Sequence, residues 1–295
     1  MKVVLFCGGL GMRLREYSES VPKPMVQIGY RPILWHIMKY YAHYGHTEFI
    51  LCLGWKADVI KRYFLEYDEC VSNNFVFSGT DRTIELLNQD IRDWKITFVD
   101  TGTTANIGER LQAVKPFLKG ERTFLANYAD GLTDCPLPRL IDFHRQTDSI
   151  ASFLTVKPMN SFHSVQADAA GMVQRIEAVQ DSAVWINAGF FVFDRQIFDY
   201  MQPGEELVNE PFQRLIDARR LTTMPYPGFF ACMDTFKEKQ ILDDRYSRGD
   251  TPWEVWRQSG KATPDQSQDE AILDEVRRIT AELHNGPKAP VTCLK

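Results

Sequence analysis

The chain has few of the features that would mark it as stapled, membrane-bound or nucleic-acid-coating. Its six cysteines (Cys7, Cys52, Cys70, Cys135, Cys232, Cys293) are scattered, with no CxxC and no Cys/His cluster at zinc spacing. A disulfide framework and a structural zinc site are therefore not expected. Cys7 and Cys52 lie inside apolar strand-like runs and read as buried thiols. Net charge is −5, so there is no broad positive field to hold nucleic acid without sequence preference. No apolar run approaches the ~20 residues of a membrane span. No secretory signal precedes the first strand, and with reduced thiols the expected compartment is the cytoplasm. Internal repeats and low-complexity tracts are absent. Two common phosphate signatures are missing as well. There is no GxxxxGK[ST], and residues 8–13 read Gly-Gly-Leu-Gly-Met-Arg rather than GxGxxG.

What is present is the composition of an ordinary globular protein, 44% apolar and 25% charged over 295 residues, long enough for a large core. Strand-like runs at 2–7, 48–53, 95–99, 123–128 and 149–156 alternate with helical patterns at 32–45, 56–65, 107–118 and 136–146. Such alternation predicts an α/β fold with a mainly parallel, Rossmann-like sheet flanked by helices. Ligands of such sheets bind at the carboxyl ends of strands, where Gly8 and Asp130 fall. From about 150 to 195 short β runs follow one another (150–157, 172–178, 184–194), which predicts a small β-rich subdomain forming one wall of a cleft. Helical patterns return near 207–219 and 235–247. The expected catalytic domain is 1–257. The tail 258–295 is polar at first, then carries a capping-box pattern and the stripe Ile272, Val276, Ile279, Leu283, which predicts an extra helix at 268–284.

The most informative segment is the first strand running into Cys7-Gly8-Gly9-Leu10-Gly11-Met12-Arg13-Leu14, followed by Val21-Pro22-Lys23-Pro24-Met25. A loop that cradles a triphosphate turns backbone N–H groups toward the oxygens and keeps side chains out of the way. Gly8, Gly9 and Gly11 suit this through their freedom to adopt positive φ. Arg13 can reach the phosphates, and the prolines flanking Lys23 fix its position cheaply. The bland alternative is an ordinary glycine turn between strand and helix.

Taken together, these two segments resemble the signature of sugar-1-phosphate nucleotidyltransferases. The stretches Pro24–Gly29, Pro32–Lys39, Phe98–Gly102, Tyr128–Gly131, Asn187–Val192, Met233–Thr235 and Pro252-Trp253 narrow the resemblance to the glucose-1-phosphate cytidylyltransferase branch, over about residues 1–257. The resemblance implies the nucleotidyltransferase fold and a Mg²⁺-dependent transfer from an NTP, expected to be CTP, to a sugar 1-phosphate, expected to be glucose 1-phosphate. It implies catalytic roles for Arg13, Lys23 and Asp130, and metal ligation by Asp130 and Asp234. Nucleotide contacts would come from Phe6, Cys7, Gly8, Gly9, Leu10, Gly11, Met12, Arg13 and Lys23, and from Thr104, Ala105, Gly108 and Arg110 in the base-side loop. Acceptor contacts would come from Asp130, Gly131, His163, Glu177, Val179, Asn187 and Gly189. A homo-oligomer is expected, as in relatives. Each assignment has a plainer competitor: a turn cap for Asp130, a helix cap for Asp234, a solvated helix residue for Arg110, a strand-face residue for His163.

Two departures from the family pattern stand out. Ala105 replaces a usual hydroxyl, and Ile176-Glu177-Ala178-Val179 replaces a Glu-Lys-Pro segment, with Val179 at or next to the lysine position. These leave open UTP or dTTP as donor and another phosphorylated acceptor. A nucleotide-binding regulatory subunit without turnover is the alternative from a different class; retention of Arg13, Lys23, Asp130 and Asp234 argues against it.

Overall fold

A computed structural model describes residues 1–9, 21–159 and 162–257. Leu10, Gly11, Met12 and Arg13, and the whole tail with its expected helix at 268–284, lie outside the described residues. Strands are β1 (Val3–Phe6), β2 (Glu48–Leu53), β3 (Lys95–Asp100), β4 (Thr123–Asn127), β5 (Gly131–Thr133), β6 (Ala151–Val156), β7 (His163–Ala167), β8 (Val173–Ala178), β9 (Ile186–Asp194), β10 (Leu221–Tyr226) and β11 (Phe230–Cys232). Helices are α1 (Ile33–His43), α2 (Ala57–Leu65), α3 (Ile107–Val114), α4 (Leu137–Gln146), α5 (Glu210–Asp217) and α6 (Phe236–Ser247).

Seven strands form the central sheet in the order β10-β6-β9-β4-β1-β2-β3. All are parallel except β9, which runs antiparallel to both neighbours. Val3, Val4 and Leu5 of β1 are wholly buried, as a strand covered on both faces requires. One core layer packs Leu5, Leu51 and Leu125 with Ile33, Ile37 and Tyr41 of α1. The opposite layer packs Val4, Ile50 and Phe124 with Leu111, Phe191, Phe193 and Phe212. Met1–Trp256 cluster as one compact unit.

The β-rich region is smaller than the sequence pattern suggests. Ala151–Val156 and Ile186–Asp194 belong to the main sheet, where both are largely buried, and only β7 and β8 stand apart as a two-stranded hairpin. Both runs carry apolar residues on both faces, which suits a covered central strand rather than a half-solvated one. The helical pattern at 107–118 splits into α3 and a 3-10 turn, Lys115–Leu118, because Pro116 has no N–H to continue the ladder. A further hairpin, Phe75–Ser78 with Thr83–Leu86, has no counterpart in the sequence expectations. Arg31 ties this excursion to the body. Its buried guanidinium bonds Asp90 Oδ2 at 2.5 Å and Ser72 Oγ at 2.9 Å, and lies 4.5 Å over the Trp35 ring.

Candidate active site

The carboxyl end of the sheet gathers Lys23, Asp130 and Asp234 from three separate segments. Lys23 opens a 3-10 turn, Lys23–Met25, whose preceding Pro22 is extended and accepts from the Met25 N–H at 2.8 Å. Asp130 follows β4 through Ala129, a fully buried residue at φ +61. Alanine in the left-handed region is uncommon and costs on the order of 1 kcal/mol or more, so the surroundings must impose it. That turn swings Asp130 off the end of β4. Asp234 follows β11, which pairs antiparallel with β5, and the Met233 N–H donates to the Asp130 carbonyl at 3.0 Å, so the two aspartates are held side by side.

The Lys23 ammonium bonds Asp130 Oδ2 at 2.7 Å and also Asp234 Oδ1. Burial works against the ammonium, but the Asp130 and Asp234 carboxylates outweigh it and hold its pKa above the ordinary lysine value. Asp130 is pushed up, first by desolvation, with Lys23 opposing and Asp234 adding to the rise. Two carboxylates sharing one cation in a part-buried niche form an electrostatically loaded site rather than a surface ion pair. Helix capping does not account for Asp234. Thr235 is the N-cap of α6, in a capping box with Glu238. Two hard oxygen donors suit a divalent cation that draws its other ligands from water and substrate phosphate. No cluster of three or more acidic, histidine or cysteine side chains with metal-ligand placement occurs among the described residues.

On the loop side, the structure shows packing demands on several of the expected residues. Gly9 has φ +150 and open space where a Cβ would be, but Gly8 lies outside the positive-φ set. The need for glycine at Gly8 is steric. A Cβ there would sit 2.0 Å from Arg110 Nη1. Gly54, at the end of β2, leaves room for the same guanidinium, with Nη1 3.1 Å from its would-be Cβ. Arg110 is not a solvated helix residue. It is buried and donates to Thr101 Oγ1 at 2.7 Å and the Leu53 carbonyl at 3.2 Å. Arg110 thus braces the ends of β1, β2 and β3 from beneath. Gly108 is a packing glycine: a Cβ would lie 2.1 Å from the Glu205 carbonyl oxygen. Phe6 and Cys7 are buried, and the Cys7 N–H donates to the Cys52 carbonyl at 3.0 Å. Thr104 is exposed and Ala105 half-buried at the loop before α3.

The acceptor-side residues fall into two groups. Gly131 follows Asp130 directly, and Asn187 and Gly189 contact Tyr128, two residues before it. Gly189, at φ +73, lets its N–H reach Asn187 Oδ1 at 2.8 Å, and Asn187 Nδ2 donates to the Tyr128 hydroxyl at 3.2 Å. His163, Glu177 and Val179 sit on or beside the β7–β8 hairpin. His163 is exposed opposite Ala178, Glu177 pairs with Arg175 at 2.5 Å, and Val179 closes the hairpin with its N–H to the Phe162 carbonyl at 2.9 Å. The Tyr128–Asn187 link and the strained Ala129 were not anticipated. Neither has a signal in local sequence pattern, and the Tyr128–Asn187 link depends on β4 and β9 being neighbours.

The Nucleotidyl transferase family profile matches residues 2–221. The chain belongs to this family and is a nucleotidyltransferase. It is 35% identical over 257 residues to a glucose-1-phosphate cytidylyltransferase of Salmonella typhi, covering 87% of this chain and 100% of that protein. A probable glucose-1-phosphate cytidylyltransferase of Bacillus subtilis is likewise 35% identical over 258 residues, with 87% and 100% covered. Among solved structures, HddC from Yersinia pseudotuberculosis, complexed with GMP-PN, matches with TM-score 0.58 at 20% identity, covering 83% of this chain and 99% of that one. At that identity the likeness speaks for the fold. No helix among the described residues is long and apolar enough to cross a membrane.

Proposed function

We propose that the chain transfers a cytidylyl group from CTP to glucose 1-phosphate, releasing pyrophosphate and giving CDP-glucose. The observation that carries this reading is the convergence of Lys23, Asp130 and Asp234 at the carboxyl end of the sheet, where Gly8 and Gly9 follow the neighbouring strand β1, in a chain alike over 87% of its length to two cytidylyltransferases. The backbone of Gly8 and Gly9, with Gly11 and Arg13, holds the triphosphate. Lys23 stabilises charge at the α-phosphate as it grows. An oxygen of the acceptor phosphate forms its bond to the α-phosphorus while the bond to the β-phosphate oxygen breaks. That nucleophile is already ionised, so no general base is needed and positioning dominates. Asp130 and Asp234 would hold Mg²⁺, which would supply positive charge against the phosphate oxygens. Asn187, Gly189 and Gly131 line the acceptor side.

Initial rates of pyrophosphate release, with CTP, UTP and dTTP against several sugar phosphates in Mg²⁺, test the reading. The highest kcat/KM is expected for CTP with glucose 1-phosphate, and no release from any pair would overturn it. A second reading, the same chemistry on another phosphorylated acceptor, is favoured by the hairpin itself. Ala178 and Val179 offer no cation, and Arg175 is engaged by Glu177. A different preferred acceptor in the same panel decides for it.

A further inference from the structure

We propose that Lys157 supplies the acceptor-phosphate cation that the β7–β8 hairpin lacks; this rests on the nucleotidyl-transfer reading and deepens it. Lys157 follows directly on β6 at the carboxyl end of the sheet. The last β6 residue, Val156, pairs with Ile186, immediately before Asn187. Its ammonium is therefore carried on the strand next to the one that presents Asn187 and Gly189. Nζ donates to the Ser182 carbonyl at 2.5 Å and lies 4.6 Å over the Trp185 ring. Ser182 is itself fastened to Val179, through Oγ to the Val179 carbonyl at 2.6 Å and through N–H to the same oxygen at 3.2 Å. The cation thus stands at the turn where the hairpin's own lysine is missing, reaching it from a neighbouring strand.

Three features fit an anion site. First, a half-buried ammonium normally sits with a carboxylate, whereas Lys157 has a carbonyl and an indole face and no carboxylate partner among the described residues. A lysine has three donors, and the Ser182 carbonyl engages one. Second, Lys157 lines a cleft of about 230 Å³ with Pro158, Gln180, Tyr226, Phe229 and Phe230. Third, that cleft adjoins the strand pair carrying the aspartates. Phe230 of β11 pairs with Thr133 of β5, and its ring lies 3.1 Å from the would-be Cβ of Gly131, next to Asp130. The position is a strand end six residues ahead of β7, which opens at His163, so a search for the family's lysine in its usual segment passes over it.

The test uses the full chain with CTP and glucose 1-phosphate, in wild type, Lys157→Gln, Lys157→Arg and Lys157→Gln/Val179→Lys, each checked for folding by circular dichroism. Gln keeps a polar N–H donor on a slightly shorter side chain and removes the charge. Loss of a charged hydrogen bond predicts an increase of about 10- to 100-fold in KM for the sugar phosphate, with KM for CTP changed by less than about twofold. Lys157→Arg should keep most of the acceptor affinity, and Val179→Lys should restore part of it in the Gln background. If wild type turns over and Lys157→Gln keeps its acceptor KM within about twofold, the assignment of Lys157 is wrong. If Lys157→Gln loses affinity for CTP and acceptor alike, the residue is structural and the assignment again fails. If wild type releases no pyrophosphate from any donor and acceptor pair, the nucleotidyl-transfer reading itself has failed, and this inference with it.

Discussion

Replacing Lys23 by methionine separates the two jobs the ammonium does. In the folded chain it neutralises Asp130 and Asp234 at once. Two carboxylate oxygens sharing one ammonium at ordinary hydrogen-bond lengths lie about 4.5 Å apart. At an effective dielectric of about 20, their repulsion without the cation is about 4 kcal/mol. The side chains are 26% and 34% exposed, so solvent screening brings this nearer to about 2 kcal/mol. For a domain of this size that is a fall in Tm of roughly 4 °C or more. A divalent cation relieves the same repulsion, so Lys23→Met should gain more thermal stability from millimolar Mg²⁺ than wild type does. Catalysis should not recover, because the charge on the α-phosphate is left without its lysine. A drop in kcat of ~100-fold or more is expected, within the range for loss of one transition-state donor. Thermal melts with and without Mg²⁺, alongside pyrophosphate release, make the check. Equal Mg²⁺ responses in the two proteins would refute a shared carboxylate pair, and full turnover in the variant would refute the catalytic role.

Further outcomes follow from individual contacts. Gly8→Ala must displace the Arg110 guanidinium from its buried bonds to Thr101 and Leu53, at a cost of about 2–4 kcal/mol in urea unfolding, whereas a harmless substitution would show that Gly8 serves the ligand alone. Arg31→Met leaves the part-buried Asp90 carboxylate without its cation, bonded by the Tyr67 hydroxyl. About 3 kcal/mol or more of stability should go, and the Arg31→Met/Asp90→Asn double variant should recover much of it. His46 is held at a pKa of about 4 by desolvation, with the N-terminal ammonium and Arg145 adding to the effect. Its folded pKa lies below the unfolded value of about 6.5. Its contribution is therefore present above about pH 6.5 and is lost as pH falls toward 4. The site is half-exposed, so about 1–2 kcal/mol is expected after screening. Urea midpoints for wild type should fall more steeply than for His46→Gln between about pH 7 and pH 5, and parallel profiles would dismiss the effect.

Local pattern carried the sheet a long way. Alternating apolar runs and helical spacing placed β1 to β4 and α1 to α4 within a few residues, because each must present a periodic apolar surface to a covered sheet. The glycine loop and Pro22-Lys23-Pro24 were legible as motifs, since their chemistry is local, and the two Asp segments were legible through the family resemblance. Where that reading stopped is equally physical. The strands at 151–156 and 186–194 look alike in sequence whether they form a separate subdomain or join the sheet, and only long-range pairing with β4 and β10 decides it.

From the sequence alone came the α/β class and the donor-loop chemistry with Lys23, which depend on residue type and spacing along the chain, while the resemblance to the nucleotidyltransferase family pointed to Asp130 and Asp234. Tertiary structure decided that those three side chains share one niche, that Thr235 rather than Asp234 caps α6, and that Arg110 lies under Gly8 and Gly54. It also set Lys157 at the turn beside Val179. Those outcomes belong to residues far apart in sequence. They exist because β1, β4 and β6 end, and antiparallel β9 begins, at the same edge of one sheet, where side chains from distant segments meet.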